Sequence, residues 1–217
     1  MNEIILNGLL NLFAIFTSLA KVDPERVKNA VILYLSSYFG IRSNKEYIEL
    51  YDEALSFYSD PDFVIDKEAV ILNVCTQLKP KLIVEEQLLL LLRFMEFANN
   101  NDHEGFTSNL GLFHQIAEIF TIEQDVYDDM LAFITDKPAK CILTISADES
   151  RSANHILRKG LEGEIRVLLL QKYNRVMFAY HGDGVVFMND IPVTRDVFYS
   201  WQRSSVIKSP LFLPVYY

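Results

Sequence analysis

The sequence predicts an α+β, two-part chain, an all-α helical bundle followed by a small β-sandwich, and three observations predict it. Apolar residues recur at helical spacing, with short breaks, from Ile4 to Ile134. Past Lys137-Pro138 the pattern changes to short β-rich runs separated by glycine, asparagine and aspartate. The charge changes at the same place: residues 1–139 carry 10 basic and 22 acidic side chains, a balance of −12, whereas residues 140–217 carry 10 and 7, a balance of +3. The boundary is therefore expected at Pro138, with a bundle over residues 1–138 and a β-rich part over 139–217. Polar turn chemistry concentrates near Thr135 to Lys140 and from Ala147 to Gly163, so proteolysis is expected to begin there.

The first helical segment, Ile4 to Leu19, lacks the basic start and small-residue cleavage site of a secretory signal. It aligns Glu3, Asn7, Asn11, Ala14, Ser18 and Lys21 on one stripe and reads as an amphipathic core helix. Asp23-Pro24 supplies an N-cap followed by proline at the first helical position, where a missing N–H costs nothing. Val27, Ala30, Val31, Tyr34, Leu35 and Tyr38 form the inward face of this second helix, and Gly40 is placed to end it. Ser43 and Glu46 have capping-box spacing and open a third helix, with Tyr47, Ile48, Tyr51, Ala54, Leu55 and Tyr58 inward. A fourth runs from about Asp66 to Lys79 with Ile71, Val74, Cys75 and Leu78 inward, closed by Pro80.

The stretch Leu82 to Asn101 is expected to be the helix around which the others pack. Its charges Glu85, Glu86, Arg93 and Glu96 keep to one narrow stripe and nearly everything else is apolar, so other helices must wrap it. Those charges argue against a lipid span. After an asparagine-rich turn, Phe106, Leu110, Phe113, Ile116, Ala117 and Phe120 mark a sixth helix. Thr121 and Gln124 have capping-box spacing and open a seventh, with Val126, Met130, Leu131 and Ile134 inward. A faint internal repeat pairs YDEALSF, Tyr51 to Phe57, with YDDMLAF, Tyr127 to Phe133. In the second part the runs Cys141–Ile145, Ile165–Leu170, Val176–Tyr180, Val185–Met188, Val197–Tyr199, Val206–Ile207 and Leu211–Tyr217 predict short strands.

Composition narrows the function classes. A net charge of −9 argues against nucleic acid, which needs a basic patch, and disfavours an anionic membrane surface. Two cysteines, Cys75 and Cys141, form neither a disulfide framework nor a metal motif, so a reducing, cytoplasmic setting is expected. No glycine precedes the Lys-Ser or Lys-Thr of a phosphate loop, and Gly160 and Gly163 are expected to form a turn into a strand. His103, His114, His155 and His181 are scattered, without ligand spacing on one helix. Glu123, Asp125, Asp128 and Asp129 read as a helix start and a solvated face, and Asp52-Glu53 likewise. Ser152 and His155 stand three apart without a nucleophile elbow or an acidic third member, which leaves a small hydrolase as the weakest reading. Trp201 and the tyrosines read as core or inter-domain packing. No catalytic, cofactor-binding or metal-ligating residue is assigned.

The helical part, over about residues 5–136, resembles the tellurite-resistance TerB-like family, through LAKVD before Pro24 and through LFHQIAEIFTIEQDVYDDMLAFI. The family's Asp-Gly after the first helix is half present: Asp23 matches and Pro24 replaces the glycine, while Asn99 and Asn100 stand where acids would be expected in the second half. The β-rich part resembles a degenerate forkhead-associated (FHA) sandwich: Ser152 and His155 match its Ser-x-x-His, and Asn189 matches its Asn-Gly turn, with Asp190 in place of glycine. The Gly-Arg element that helps to bind phosphothreonine is missing. The order of the parts is similar to the N-terminal region of bacterial ABC-transporter-type ATP-binding proteins. That resemblance implies a non-catalytic, cytoplasmic regulatory or docking region, with no cofactor of its own. Its partner would be a nucleotide-binding domain of the same polypeptide beyond Tyr217, other proteins in addition, no nucleic acid, and a membrane only through downstream segments. The apolar run LFLPVYY fits such a continuation. A free-standing TerB-like stress-response protein binding a metal or oxyanion is the alternative.

Overall fold

A computed structural model describes residues 3–20, 22–39, 44–62, 65–151 and 153–216, with backbone alone for 34, 36–39 and 44. Gly40 and Ser43, expected to end one helix and open the next, lie outside the described residues, as do Lys21, Ser152, Tyr217 and the side chains of Tyr34 and Tyr38. The chain is α+β and divides into two compact units, Met1–Thr135 and Asp136–Tyr217. Among the described residues no helix is long and apolar enough to cross a membrane.

The first unit holds eight helices among its described residues: α1 Glu3–Leu19, α2 Pro24–Phe39, α3 Asn44–Ser59, α4 Lys67–Leu78, α5 Val84–Asn101, α6 His103–Ser108, α7 Leu110–Ile119 and α8 Gln124–Ile134. Local chemistry sets several starts. Asp23 accepts the Glu25 N–H at 3.1 Å and Pro24 opens α2. Asp66 caps α4 through Ala69 N–H. Glu86 reaches back to Ile83 N–H at 3.1 Å before α5, satisfying one orphan donor of that helix.

Two helices share the centre. α1 packs on α2, α3, α4 and α5, whereas α5 packs on α1, α6, α7 and α8. Their seam is aromatic: Phe13 stacks on Phe97 with centroids 3.8 Å apart, Phe16 meets Phe94 edge-on at 6.1 Å, and Phe94 and Phe106 both reach Phe113 at 5.1 Å. Such ring pairs add to plain area burial. Tyr51 of α3 enters the same core, its hydroxyl donating to Thr17 Oγ1 at 3.0 Å while Thr17 donates to Phe13 O. The rest of the face expected inward on α3, Tyr47, Ile48, Ala54, Leu55 and Tyr58, is only half-buried.

Two sequence expectations are corrected in this unit, and the charged stripe of α5 divides in its surroundings. Glu85 and Glu86 are half-exposed, but Arg93 and Glu96 are buried and pair at 2.9 Å. The helix expected around Phe106 to Phe120 is two helices. Asp102 caps the first through Gly105 N–H, and Asn109 ends it by donating from both its backbone N–H and its side-chain amide to Gly105 O. The capping box at Thr121 is absent. Thr121 N–H bonds Glu118 O and Ile122 N–H bonds Ala117 O, the Schellman pattern that closes α7, with Thr121 in the left-handed region at φ 58. Glu123 occupies the N-cap position of α8 without a side-chain cap bond.

A β-branched residue is strained in that conformation. Thr121→Gly is expected to stabilise the chain by about 1 kcal/mol, net of the lost 2.8 Å bond from Lys79 Nζ to Thr121 Oγ1, measured by denaturant melts.

Among its described residues the second unit holds nine strands: β1 Ile142–Ser146, β2 His155–Leu157, β3 Glu164–Leu170, β4 Arg175–His181, β5 Phe187–Met188, β6 Ile191–Pro192, β7 Phe198–Trp201, β8 Val206–Ser209 and β9 Phe212–Tyr216. They form a five-stranded sheet in the order β2-β1-β3-β4-β7 and a four-stranded sheet in the order β6-β5-β8-β9. β1 and β2 are parallel and all other pairs antiparallel. One apolar core joins the sheets, with Ile165, Val167, Phe178, Tyr180 and Trp201 from the first and Ile207, Phe212 and Val215 from the second. Period-two alternation places Ile165 with Val167 and Phe178 with Tyr180 on one face of their strands. β2 and β6 are strands that the sequence leaves as turn or edge, because two or three residues carry no readable alternation.

The turn between β2 and β3 requires its glycines. Gly160 and Gly163 have φ 86 and 83, and an added Cβ would sit 2.0 Å from Leu211 O at the first and 2.1 Å from His181 O at the second. The start of the unit is held as well. Arg166 is buried, pairs with Asp136 and donates to Lys137 O at 3.2 Å, and Asn154 donates to Ala139 O and Lys140 O. Residues 136–140, in one of the two stretches expected to be cut first, are thereby tied to β3 and to Asn154 before β2.

Candidate polar site at the β1–β2 loop

A polar constellation of the second unit gathers where β1 ends. The chain returns so that β2 runs parallel to β1, with Thr144 opposite His155 and Ser146 opposite Leu157. Asn154 makes that return in the left-handed region, φ 48, and its carbonyl accepts Thr144 N–H at 2.8 Å. Asparagine tolerates this conformation better than most residues.

The return brings Ser146 and His155 together, Oγ to Nε2 at 2.9 Å, while Ser146 Oγ also accepts Asp148 N–H at 3.3 Å. The simplest assignment has the hydroxyl donating to an unprotonated Nε2, which places the ring proton on Nδ1. Ser146 is buried and its hydroxyl is used in fixing the loop. The serine three residues before the histidine, Ser152, lies outside the described residues, so the hydroxyl observed on His155 is Ser146.

Asp148 accepts the Ser150 hydroxyl at 2.6 Å and Ser150 N–H at 2.9 Å, with Arg151 3.4 Å away. The Ser150 hydrogen bonds first, then the charge of Arg151, hold its carboxyl below the usual carboxylate range. A depressed carboxylate contributes stability above its unfolded pKa and loses it as the pH falls through the folded one. An NMR titration is expected to give Asp148 a midpoint lower than that of an unstructured aspartate, and Ser150→Ala is expected to raise it.

Arg151 swings across to Glu164 at 2.6 Å, and Arg166 stands beside Thr144 in the β1–β3 register. These side chains, with Asn154 and Asp136, line a cavity of about 350 Å³, at the small end of the range for ligand sites. Two guanidinium groups face two carboxylates there, so the site is charged yet balanced. An anion entering it would have to displace Glu164 from Arg151 or Asp136 from Arg166. That is a binding chemistry.

The other positions singled out in the sequence have structural partners. Asn189 and Asp190 form a hairpin turn with both residues left-handed, φ 48 and 70. The Asn189 side chain donates to Ser205 Oγ and accepts Val206 N–H at 2.9 Å, so it ties the β5–β6 turn to the start of β8. His181 bonds Asp196 at 2.7 Å, His114 bonds Gln124 at 2.5 Å, and His103, at the start of α6, bonds Asn99 at 2.7 Å. Trp201 is buried and donates to Ser205 O. Asp52 pairs with Lys28 at 2.6 Å, and Asp128 accepts from Gln124. Among the described residues no group of three or more histidines, cysteines and carboxylates is placed to hold a metal ion.

Sequence reasoning did not single out Ser146, Arg151, Glu164 or Arg166. Arg166 had a signal: it is a charge inside the apolar run of β3, at a position whose neighbours on both sides are buried. A charge there needs a partner, and the strand alone does not name it.

Burial also separates the two thiols. Cys75 is buried in α4 and its thiol is pushed up to about 12, whereas Cys141 is half-buried just before β1. Iodoacetamide at neutral pH is expected to label Cys141 in the native chain and Cys75 only after unfolding, read by mass spectrometry.

Comparison of the chain with protein-family models, with curated proteins and with solved structures finds no match.

Proposed function

We propose that the chain is a non-catalytic regulatory or docking region, a TerB-like helical unit followed by an FHA-like β-sandwich, that serves an ABC-type ATP-binding domain of the same polypeptide at the cytoplasmic face. The observation that carries this reading is the use made of polar groups in the second unit. Ser146 with His155, Asn154 with the carbonyls of residues 139 and 140, and Asn189 with Ser205 and Val206 hold loops in place. Fixed loops around a small charged cavity present a rigid surface, and rigid surfaces bind without paying for loop ordering.

Two further features support it. Two sheets around a shared core, with an asparagine turn that anchors a neighbouring strand, fit an FHA-like module. Asp23 caps α2 and Asn99 bonds Ile134 O, uses that favour docking over metal binding for the TerB-like unit.

The test adds the chain in trans to the ATP-binding domain encoded with it and measures association by calorimetry and ATP turnover by phosphate release. Association that changes turnover is the expected result. Absence of association, together with unchanged turnover when residues 1–217 are deleted from the full protein, would overturn the reading.

A further inference from the structure

We infer that the edge of the second unit formed by Leu157, Leu211 and Leu213 with Arg158 and Lys159 is a contact surface for an anionic lipid bilayer. This rests on the patch itself and is independent of the docking role proposed above. β2 is an edge strand of one sheet and β9 an edge strand of the other, and the Gly160 turn, packed against Leu211 O, brings the two edges together. Leu157, Leu211 and Leu213 are 39%, 58% and 79% exposed, and Pro210 and Phe212 continue the apolar lining between them. Large apolar side chains clustered on a surface mark an interaction site, where single ones do not.

The charge beside the leucines decides the occupant. Arg158 and Lys159 line the same depression. Arg158 Nε is buried with no hydrogen-bond acceptor among the described residues, although Nη1 donates to Leu157 O. Lys159 meets Glu149 at 3.0 Å in a pair with both side chains exposed, which opens at little cost. The chain's net charge of −9 comes from residues 1–139, and residues 140–217 carry +3, so the local balance favours an anionic partner. Leucine insertion beside arginine and lysine is the chemistry of interfacial membrane binding, where apolar burial and attraction to anionic headgroups add.

The backbone of β9 argues against the competing occupant, an extended peptide added as a strand. Val206 exchanges backbone and side-chain hydrogen bonds with Asn189, so its N–H and C=O point toward β5, and its neighbour Ile207 turns to β9 opposite Val215. By alternation Pro214 faces away from β8, at the open edge. A proline there removes a ladder donor from the middle of the strand and blocks strand addition.

The test uses the full chain in flotation assays. The probes are vesicles of phosphatidylcholine alone and of equal parts phosphatidylcholine and phosphatidylglycerol. The chain is expected to float with the anionic vesicles, less so at high salt, and not with phosphatidylcholine. Leu211→Ser with Leu213→Ser, and separately Arg158→Gln with Lys159→Gln, are each expected to weaken binding about tenfold. Leu213→Ser alone, at the most exposed of these positions, serves if the double variant melts early. No flotation of the parent chain, flotation unchanged in the folded variants, or capture of a peptide partner through this edge without vesicle binding would overturn the inference. An altered ATP turnover would persist in any of these outcomes, which keeps the two readings apart.

Discussion

Leu91→Asp is expected to unfold the helical unit, and Leu89→Asp, two residues away on the same helix, is expected to leave it folded. Leu91 is 0% exposed on α5, in the layer between α1 and the later helices, while Leu89 is the half-exposed position of an otherwise buried run from Gln87 to Ala98. An aspartate at 91 either carries an unpaired charge into the core or takes up a proton to avoid it, and it also removes a leucine. The combined cost is about 5 kcal/mol or more, comparable to the whole stability of many domains. At 89 the carboxylate reaches water and the cost is about 1 kcal/mol. Circular dichroism of α-helix content against guanidinium reads the difference, and equal midpoints for the two variants would refute the phase of the helix.

Glu96→Ala is expected to cost about 3–5 kcal/mol, because it removes the carboxylate paired with a buried guanidinium. Arg93 and Glu96 are one turn apart on α5, 2.9 Å between charged atoms, with side chains only 2% and 7% exposed. Two charges brought that far out of water gain their attraction only by first losing their hydration. For that reason Arg93→Met combined with Glu96→Leu is expected to recover most of the loss and to lie within about 1 kcal/mol of the parent. Urea melts of Arg93→Met, Glu96→Leu and the double variant close the cycle. A double variant as unstable as Glu96→Ala would mean that the pair contributes net stability, contrary to this expectation. High salt is expected to change the parent little, since buried pairs are weakly screened.

Periodicity made much of the first unit legible and failed where a local hydrogen bond outweighed it. The starts of α2 and α4 are visible in Asp23-Pro24 and Asp66, because a capping side chain acts within three residues of itself. The break between α6 and α7 is hidden, because the apolar spacing continues across Asn109 while its amide and backbone both turn to Gly105 O. Thr121 matches the letters of a capping box, yet Thr121 and Ile122 close α7, and only the carbonyls they meet distinguish the outcomes. On α5 the spacing of Arg93 and Glu96 gives a shared face, but a polar face reads the same whether it meets water or its own counter-charge.

The polar site was less legible, for a reason of distance along the chain. His155 stands out in the sequence, but its hydroxyl partner is nine residues back across a parallel strand pair that no turn signal announces. Arg166 meets Asp136, thirty residues earlier, through register and not through spacing. The strands that carry alternation, β3 and β4, are readable; the pairings between them and the loops are settled by the fold.

The contact between the Gly160 turn and Leu211 has a consequence for the order in which the second unit forms. Strands β1 to β4 pair with near neighbours in the chain and can assemble while later residues are still on the ribosome. The carbonyl that packs on Gly160 arrives only with Leu211, at the threshold of β9, and the core positions Phe212 and Val215 arrive with it. A pairing that distant in the chain forms after the local ones, because its loop-closure entropy is lost before its contacts are gained. Until it closes, one face of the five-stranded sheet stays wet. A substitution at Gly160 is therefore expected to act late, leaving the early hairpins intact and delaying the final closure of the core.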